Sequence, residues 1–168
     1  EQKKKDAIQR RRREFSALRT KALKSMTFLS ENSESSARRD LVMRRRRLER
    51  CQHRCNELGD VCYFKVLQLR QDNHQLVVFR GKGRNQILAE LRRQKWNNVP
   101  SLGRKVAQLK AAQEARDIAL KDFKASENLV KKFDRAKNLV KEFNQLQKVQ
   151  SEVPSLRRAT PPRMAIEK

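Results

Sequence analysis

The sequence predicts a mainly α fold of extended, non-globular long helices, with a small β-hairpin near residues 61–79 and a basic extended tail. Composition is the first ground. Charged residues are 36% of the 168 and apolar residues 37%, with only four Gly and four Pro. So much charge and so few turn residues suit long helices and oppose one closed core. Spacing is the second ground, because apolar side chains recur at seven-residue steps between charges. Net charge is the third. A formal +23 repels itself and opposes compaction until a counter-charge arrives.

Residues 3–29 read as a first helix. Ile8, Phe15, Ala22 and Leu29 are seven apart, with Leu18 and Met26 alongside, which makes a narrow stripe able to dock on one surface. The Ser-rich stretch 30–36 breaks it, and Ser36 can cap the next helix. Residues 37–58 read as that second helix through Leu41, Leu48, Cys51, Cys55 and Leu58, with Gly59 as its stop.

The residues from Val61 to Leu69 and from Gln75 to Phe79 are rich in β-branched and aromatic side chains. With the polar turn Gln71–His74 between them they read as the hairpin. A helix over 60–70 is the other reading, since Cys62, Val66 and Leu69 share a helical face. Asn85 then caps a short helix to about Lys95, with Ile87, Leu88 and Leu91 inward, and 96–100 is a loop. From Ser101 to Gln150 runs the longest helix, about 72 Å over roughly 48 residues at 1.5 Å each. Within it Asn128–Phe133 is echoed by Asn138–Phe143, and Phe123, Phe133 and Phe143 are ten apart. Ten-residue steps drift by roughly 80° on an ideal helix, so these rings are expected to face different neighbours, or a curving groove, within an assembly. Residues 151–168 hold three Pro and read as an extended basic tail. The chain thus divides into four parts: 1–36, 37–100, 101–150 and 151–168.

Function is read from the arginines. Arg10, Arg11, Arg12 and Arg13 form one tetrad; Arg44, Arg45, Arg46 and Arg47 form another. Four consecutive helical residues, turned by about 100° each, point nearly all round the rod, so at that level the helix stands in water or among anions. Arginine's planar fork matches phosphate oxygens two at a time. Residues 1–100 carry 26 basic side chains, 18 of them Arg, whereas 104–150 carries nine Lys and three Arg. Direct phosphate contact is therefore expected of the first part and solvated helix faces of the second. The loop Arg80, Gly81, Lys82, Gly83, Arg84 adds a basic approach to a phosphate beside a helix start, and Arg92 and Arg93 come later on that helix. It lacks the spacing of a Walker loop.

Other chemistry finds little support. Cys51, Cys55 and Cys62 with His53 or His74 lack paired Cys-x-x-Cys spacing, and the first two thiols continue an apolar stripe, so buried thiols are expected and no metal or cofactor. Three cysteines do not suggest a disulfide framework. No nucleophile elbow, zincin or dinucleotide motif occurs, so an enzyme is not expected. Tyr63 and Trp96 read as packing rather than base-stacking platforms. No apolar run is long enough to span a membrane.

The expected protein is a non-enzymatic structural component of a large ribonucleoprotein, with a ribosomal protein favoured. It would hold structured RNA, rRNA first, through phosphate and shape, while neighbouring proteins line the 101–150 helix. The location is intracellular, the mitochondrial ribosome ahead of cytoplasm or nucleus; the chain opens on Glu1, so a targeting segment would lie upstream. The alternative is a coiled-coil scaffold on an acidic lattice such as a microtubule or axoneme. A DNA-packaging protein fits the charge but lacks a groove-reading motif.

Overall fold

The computed structural model describes residues 2–96 and 98–152. The described part is almost entirely helical: α1 (Gln2–Glu31), α2 (Glu34–Leu69), a 3-10 segment (His74–Phe79), α3 (Arg84–Arg93) and α4 (Pro100–Glu152). The tail beyond Glu152 lies outside the described residues. Packing divides the described residues into two units, one of residues 2–37 with 128–152 and one within 38–127.

In the first unit α1 runs antiparallel to the C-terminal part of α4. Phe28 meets Phe133 with ring centroids 4.8 Å apart, and Phe15 meets Phe143 at 5.7 Å. Ala22, Val130, Phe133, Ala136 and Phe143 are buried between small and aromatic neighbours. Phe133 and Phe143 thus face different rings, both of them supplied by this chain. Glu34 at the start of α2 is ion-paired with Lys137. The α1–α2 break is only Asn32–Ser33. Ser33, not Ser36, is the cap: its Oγ accepts from the Ser36 N–H at 3.3 Å, and its carbonyl receives Ala37 N–H at 3.1 Å.

The second unit has a continuous core. Cys62 and Val66 of α2, Leu76 and Phe79 of the 3-10 segment, Ile87, Leu88 and Leu91 of α3, Trp96 and Val99 of the connection, and Leu102, Val106 and Leu109 of α4 form it. Leu58, Tyr63 and Leu69 pack against it. Trp96 stacks at 5.4 Å on Phe79 and donates its indole N–H to Leu91 O at 3.2 Å, so it is a core residue with its polar edge satisfied. Pro100 opens α4 at the first helical position, where a missing N–H costs nothing.

Three expectations are corrected here. The hairpin at 61–79 is absent: α2 continues to Leu69, and the second half is a 3-10 turn. The burial pattern explains both. Cys62 and Val66 are fully buried at four-residue spacing, with Leu69 half-buried three further on, as the helical reading of 60–70 requires. Leu76 and Phe79 are fully buried at three-residue spacing, the period of a 3-10 turn, while Val77 and Val78 stay exposed. A strand would instead pair Val77 with Phe79 on one face. Asn73 starts the turn by accepting Gln75 N–H on its Oδ1 at 2.9 Å.

Gly59 is the second correction, since the helix runs straight through it. A Cβ there would lie 3.1 Å from Arg84 Nη2 and 3.3 Å from Leu88 Cδ1. Glycine therefore serves close approach of α3, not termination. The third concerns α3, which ends at Arg93 and starts after Gly83; Gln86 Oε1 accepts the Gly83 N–H at 3.1 Å, and Asn85 is already inside the helix.

Cys62 carries a pH signature. It has no exposed surface, and burial pushes its thiol up to about 11, partly opposed by Lys105. Below pH ~8 the thiol is protonated in both folded and unfolded chains and stability is full. From there to about 11 the unfolded thiol ionises first, so stability should fall by roughly 2–3 kcal/mol. Denaturant melts at pH 8 and 11 should show this slope shrinking in Cys62→Ala; an unchanged slope would mean that other groups cause it.

Candidate nucleic-acid interface

The structure sorts the sequence-selected arginines into two kinds. In the 38–127 unit, Arg44 and Arg47 lie three apart on α2 and share a face. Arg44 Nη1 donates to the Asp122 carbonyl at 3.2 Å, and Arg47 Nη1 lies 3.4 Å from Asp122 Oδ2. These two guanidinium groups tie α2 to α4. Arg45 and Arg46 point elsewhere. Arg45 is paired only along its own helix, with Glu49 at 3.1 Å, and Arg46 is exposed beside Met43 and Arg50. An exposed i,i+4 pair is worth only a few tenths of a kcal/mol and yields readily to a phosphate.

The tetrad on α1 differs. All four of Arg10, Arg11, Arg12 and Arg13 are exposed, and among the described residues Arg10 alone has a carboxylate, Glu14 at 3.0 Å. Every residue from Gln2 to Glu14 is exposed, Ile8 included. That stretch holds seven basic residues and two acidic ones and buries nothing. A helix that is polar all round and strongly positive gains nothing from packing.

The glycine loop is partly as expected. Gly81 has φ +74°, a left-handed conformation that side chains resist, and Lys82 N–H closes the turn on Phe79 O at 3.2 Å. No atom lies within 4 Å of a would-be Cβ at Gly81 or Gly83, so the loop backbone faces open space. Arg80 is exposed and Lys82 half-exposed. Arg80 lines a shallow hollow with Arg70, Gln71 and Gly81. Arg84 is turned inward: its Nε donates to Asp60 Oδ1 at 2.7 Å and its Nη2 to Asn56 O at 3.4 Å. On α3, Arg93 is 3.9 Å from Glu90, while Arg92 borders a cleft shared with Arg84 of α3 and Arg116 of α4.

Two features escape sequence reading. Arg116, beside Asp117 at 2.8 Å, reads locally as an ordinary solvated pair, and only the approach of α4 to α3 brings it near Arg92. Phe64, not Tyr63 or Trp96, is the most exposed aromatic of this unit, with 63% of its surface free. Its position two beyond Cys62 is outward on a helix, a signal available once 60–70 is read as helical.

The thiols lie in the packing. Cys55 and Cys62 are buried and Cys51 half-buried, and all three are free. Burial raises the Cys55 thiol above its ordinary value, with Arg116 pulling the other way. Among the described residues, no three His, Cys, Asp or Glu side chains are grouped to hold a metal, and no helix is long and apolar enough to cross a membrane. The class that emerges is a basic, mainly helical protein with exposed arginine-dense stretches. No family model, curated protein or solved structure matches the chain.

Proposed function

We propose that this chain is a non-enzymatic structural RNA-binding component of a large ribonucleoprotein, a ribosomal protein by preference and a mitochondrial ribosomal one first. The observation that carries the proposal is the stretch Gln2–Glu14: thirteen exposed helical residues with seven positive charges and no burial. Arginine density there fits phosphate by fork geometry, and RNA supplies phosphate at the required density. Arg45, Arg46, Arg80, Lys82, Arg92 and Arg93 extend the same chemistry to the other unit. Contacts of this kind position RNA without reading its sequence. Neighbouring proteins would meet α4 at its exposed Ile118, Leu129, Leu146 and Val149, because Phe133 and Phe143 are already covered within the chain.

The test separates holding the fold from holding RNA. Replacing Arg11, Arg12, Arg13, Arg45 and Arg46 by Gln spares Arg44, Arg47 and Arg84, which make interhelical bonds. Gln is nearly as good a helix former, so helicity and melting should change little. RNA affinity at physiological salt should drop by about two orders of magnitude or more, measured by filter binding to a structured RNA. Unchanged affinity would sink the reading. An acidic polypeptide of equal charge that competes as well as RNA would favour the cytoskeletal alternative.

A further inference from the structure

A cleft forms where α2, α3 and α4 of the 38–127 unit converge. Three guanidinium groups, Arg84, Arg92 and Arg116, line one cavity of about 270 Å³, together with the amide side chains of Asn56, Asn85 and Gln113. Its other lining residues are Cys55 and three small or aliphatic side chains, so no carboxylate belongs to its wall. The two acids that hold these arginines, Asp60 and Asp117, sit outside it. Arg92 has no ion pair with any described residue, although it lines the cavity beside Arg84 and Arg116. Arg84 and Arg116 are each matched by one carboxylate, so Arg92 is the cleft's positive group with no acid against it among the described residues. An anion with several oxygens offsets that charge, accepting from the Arg92 fork, from the N–H groups that Arg84 and Arg116 do not give to Asp60, Asn56 and Asp117, and from the amide side chains.

We infer that this Arg84–Arg92–Arg116 cleft is a phosphate-binding site that takes one phosphate group, supplied by an RNA phosphodiester. Arg84 and Arg116 are pre-positioned by Asp60 and Asp117, at 2.7 and 2.8 Å, so little side-chain freedom is lost when the anion enters. Arg92, exposed and on the last turn of α3, closes on it. The capacity for phosphate stands on the cleft alone; the assignment to RNA rests on the function proposed above. A phosphorylated small molecule would present the same chemistry, and the experiment tells the two sources apart.

The probe is inorganic pyrophosphate, titrated calorimetrically at low salt into the full chain and into Arg92→Gln, Arg116→Gln and Arg54→Gln. Arg54 lies on α2 outside the cleft lining, so Arg54→Gln removes the same charge without touching the cavity. The expected result is one saturable site per chain, preserved in Arg54→Gln and weakened about tenfold or more in each of the other two. No saturable site, or equal binding by Arg92→Gln and the unsubstituted chain, overturns the proposal. Arg92 is exposed, so its substitution leaves the core intact; circular dichroism verifies this for both cleft variants. In the RNA arm, Arg92→Gln should reduce the salt slope of binding by about one. An unchanged slope with pyrophosphate still bound overturns the RNA source and leaves a phosphorylated small molecule as the ligand. Pyrophosphate binding by a chain that holds no RNA at any salt overturns the function proposed above while the cleft stands.

Discussion

RNA affinity of the full chain is expected to fall linearly with log salt concentration, with a slope of roughly −5 to −8 for about six to nine phosphate contacts. Ten exposed or half-exposed candidates lie outside the interhelical bonds: Arg10, Arg11, Arg12, Arg13, Arg45, Arg46, Arg80, Lys82, Arg92 and Arg93. Each phosphate neutralised releases condensed counterions, and that entropy disappears as salt rises. Between about 50 and 200 mM salt the affinity should therefore drop by some three to five orders of magnitude. Fluorescence titration of a structured RNA over that range measures it. A flat curve would falsify the electrostatic mode of binding altogether. A slope near −2 would mean that most of these side chains are solvated surface, and that only one of the two basic faces is engaged.

Phe133→Ala is expected to destabilise the first unit by about 3–5 kcal/mol, as large-to-small changes at rigid buried sites do. Only 1% of Phe133 is exposed, and its ring stacks on Phe28 at 4.8 Å. The stripe it belongs to is thin, with Ala22 and Ala136 supplying little apolar area nearby. A loss of that size is a large share of an ordinary domain's total stability, so the unit should melt at markedly lower denaturant. Helicity measured through a urea titration gives the midpoint shift. A shift corresponding to less than about 1 kcal/mol would show that α1 does not cover Phe133 in solution. Leu23→Ala, on the exposed side of α1, should shift it little.

How much of the fold is legible in the sequence depends on whether the deciding interaction is local. Helix content, the long α4 beginning beside Pro100, and the inward set Ile87, Leu88 and Leu91 come from period and composition, which act along a few turns. Residues 61–79 mislead because β-branched and aromatic side chains suit strands and buried helices alike; the three-residue spacing of Leu76 and Phe79 decides only once α3 and α4 supply a core. Gly59 misleads for a related reason. A helix stop and a helix-to-helix close approach both call for glycine, and the approaching Arg84 and Leu88 are distant in sequence.

The arginines divide along the same line. Sequence by itself determined that the chain is strongly basic, mostly helical and arginine-dense at 10–13 and 44–47. It could not distinguish Arg44 and Arg47 from Arg45 and Arg46, because a tetrad looks uniform until Asp122 on α4 claims two of its members. Nor could it place Arg116 beside Arg92, or turn Arg84 from an open loop toward Asp60. Charge adds up along the chain whatever the fold. Which charges are spent on holding helices together, and which remain for a partner, depends on groups tens of residues apart, and tertiary packing alone brings those within bonding distance.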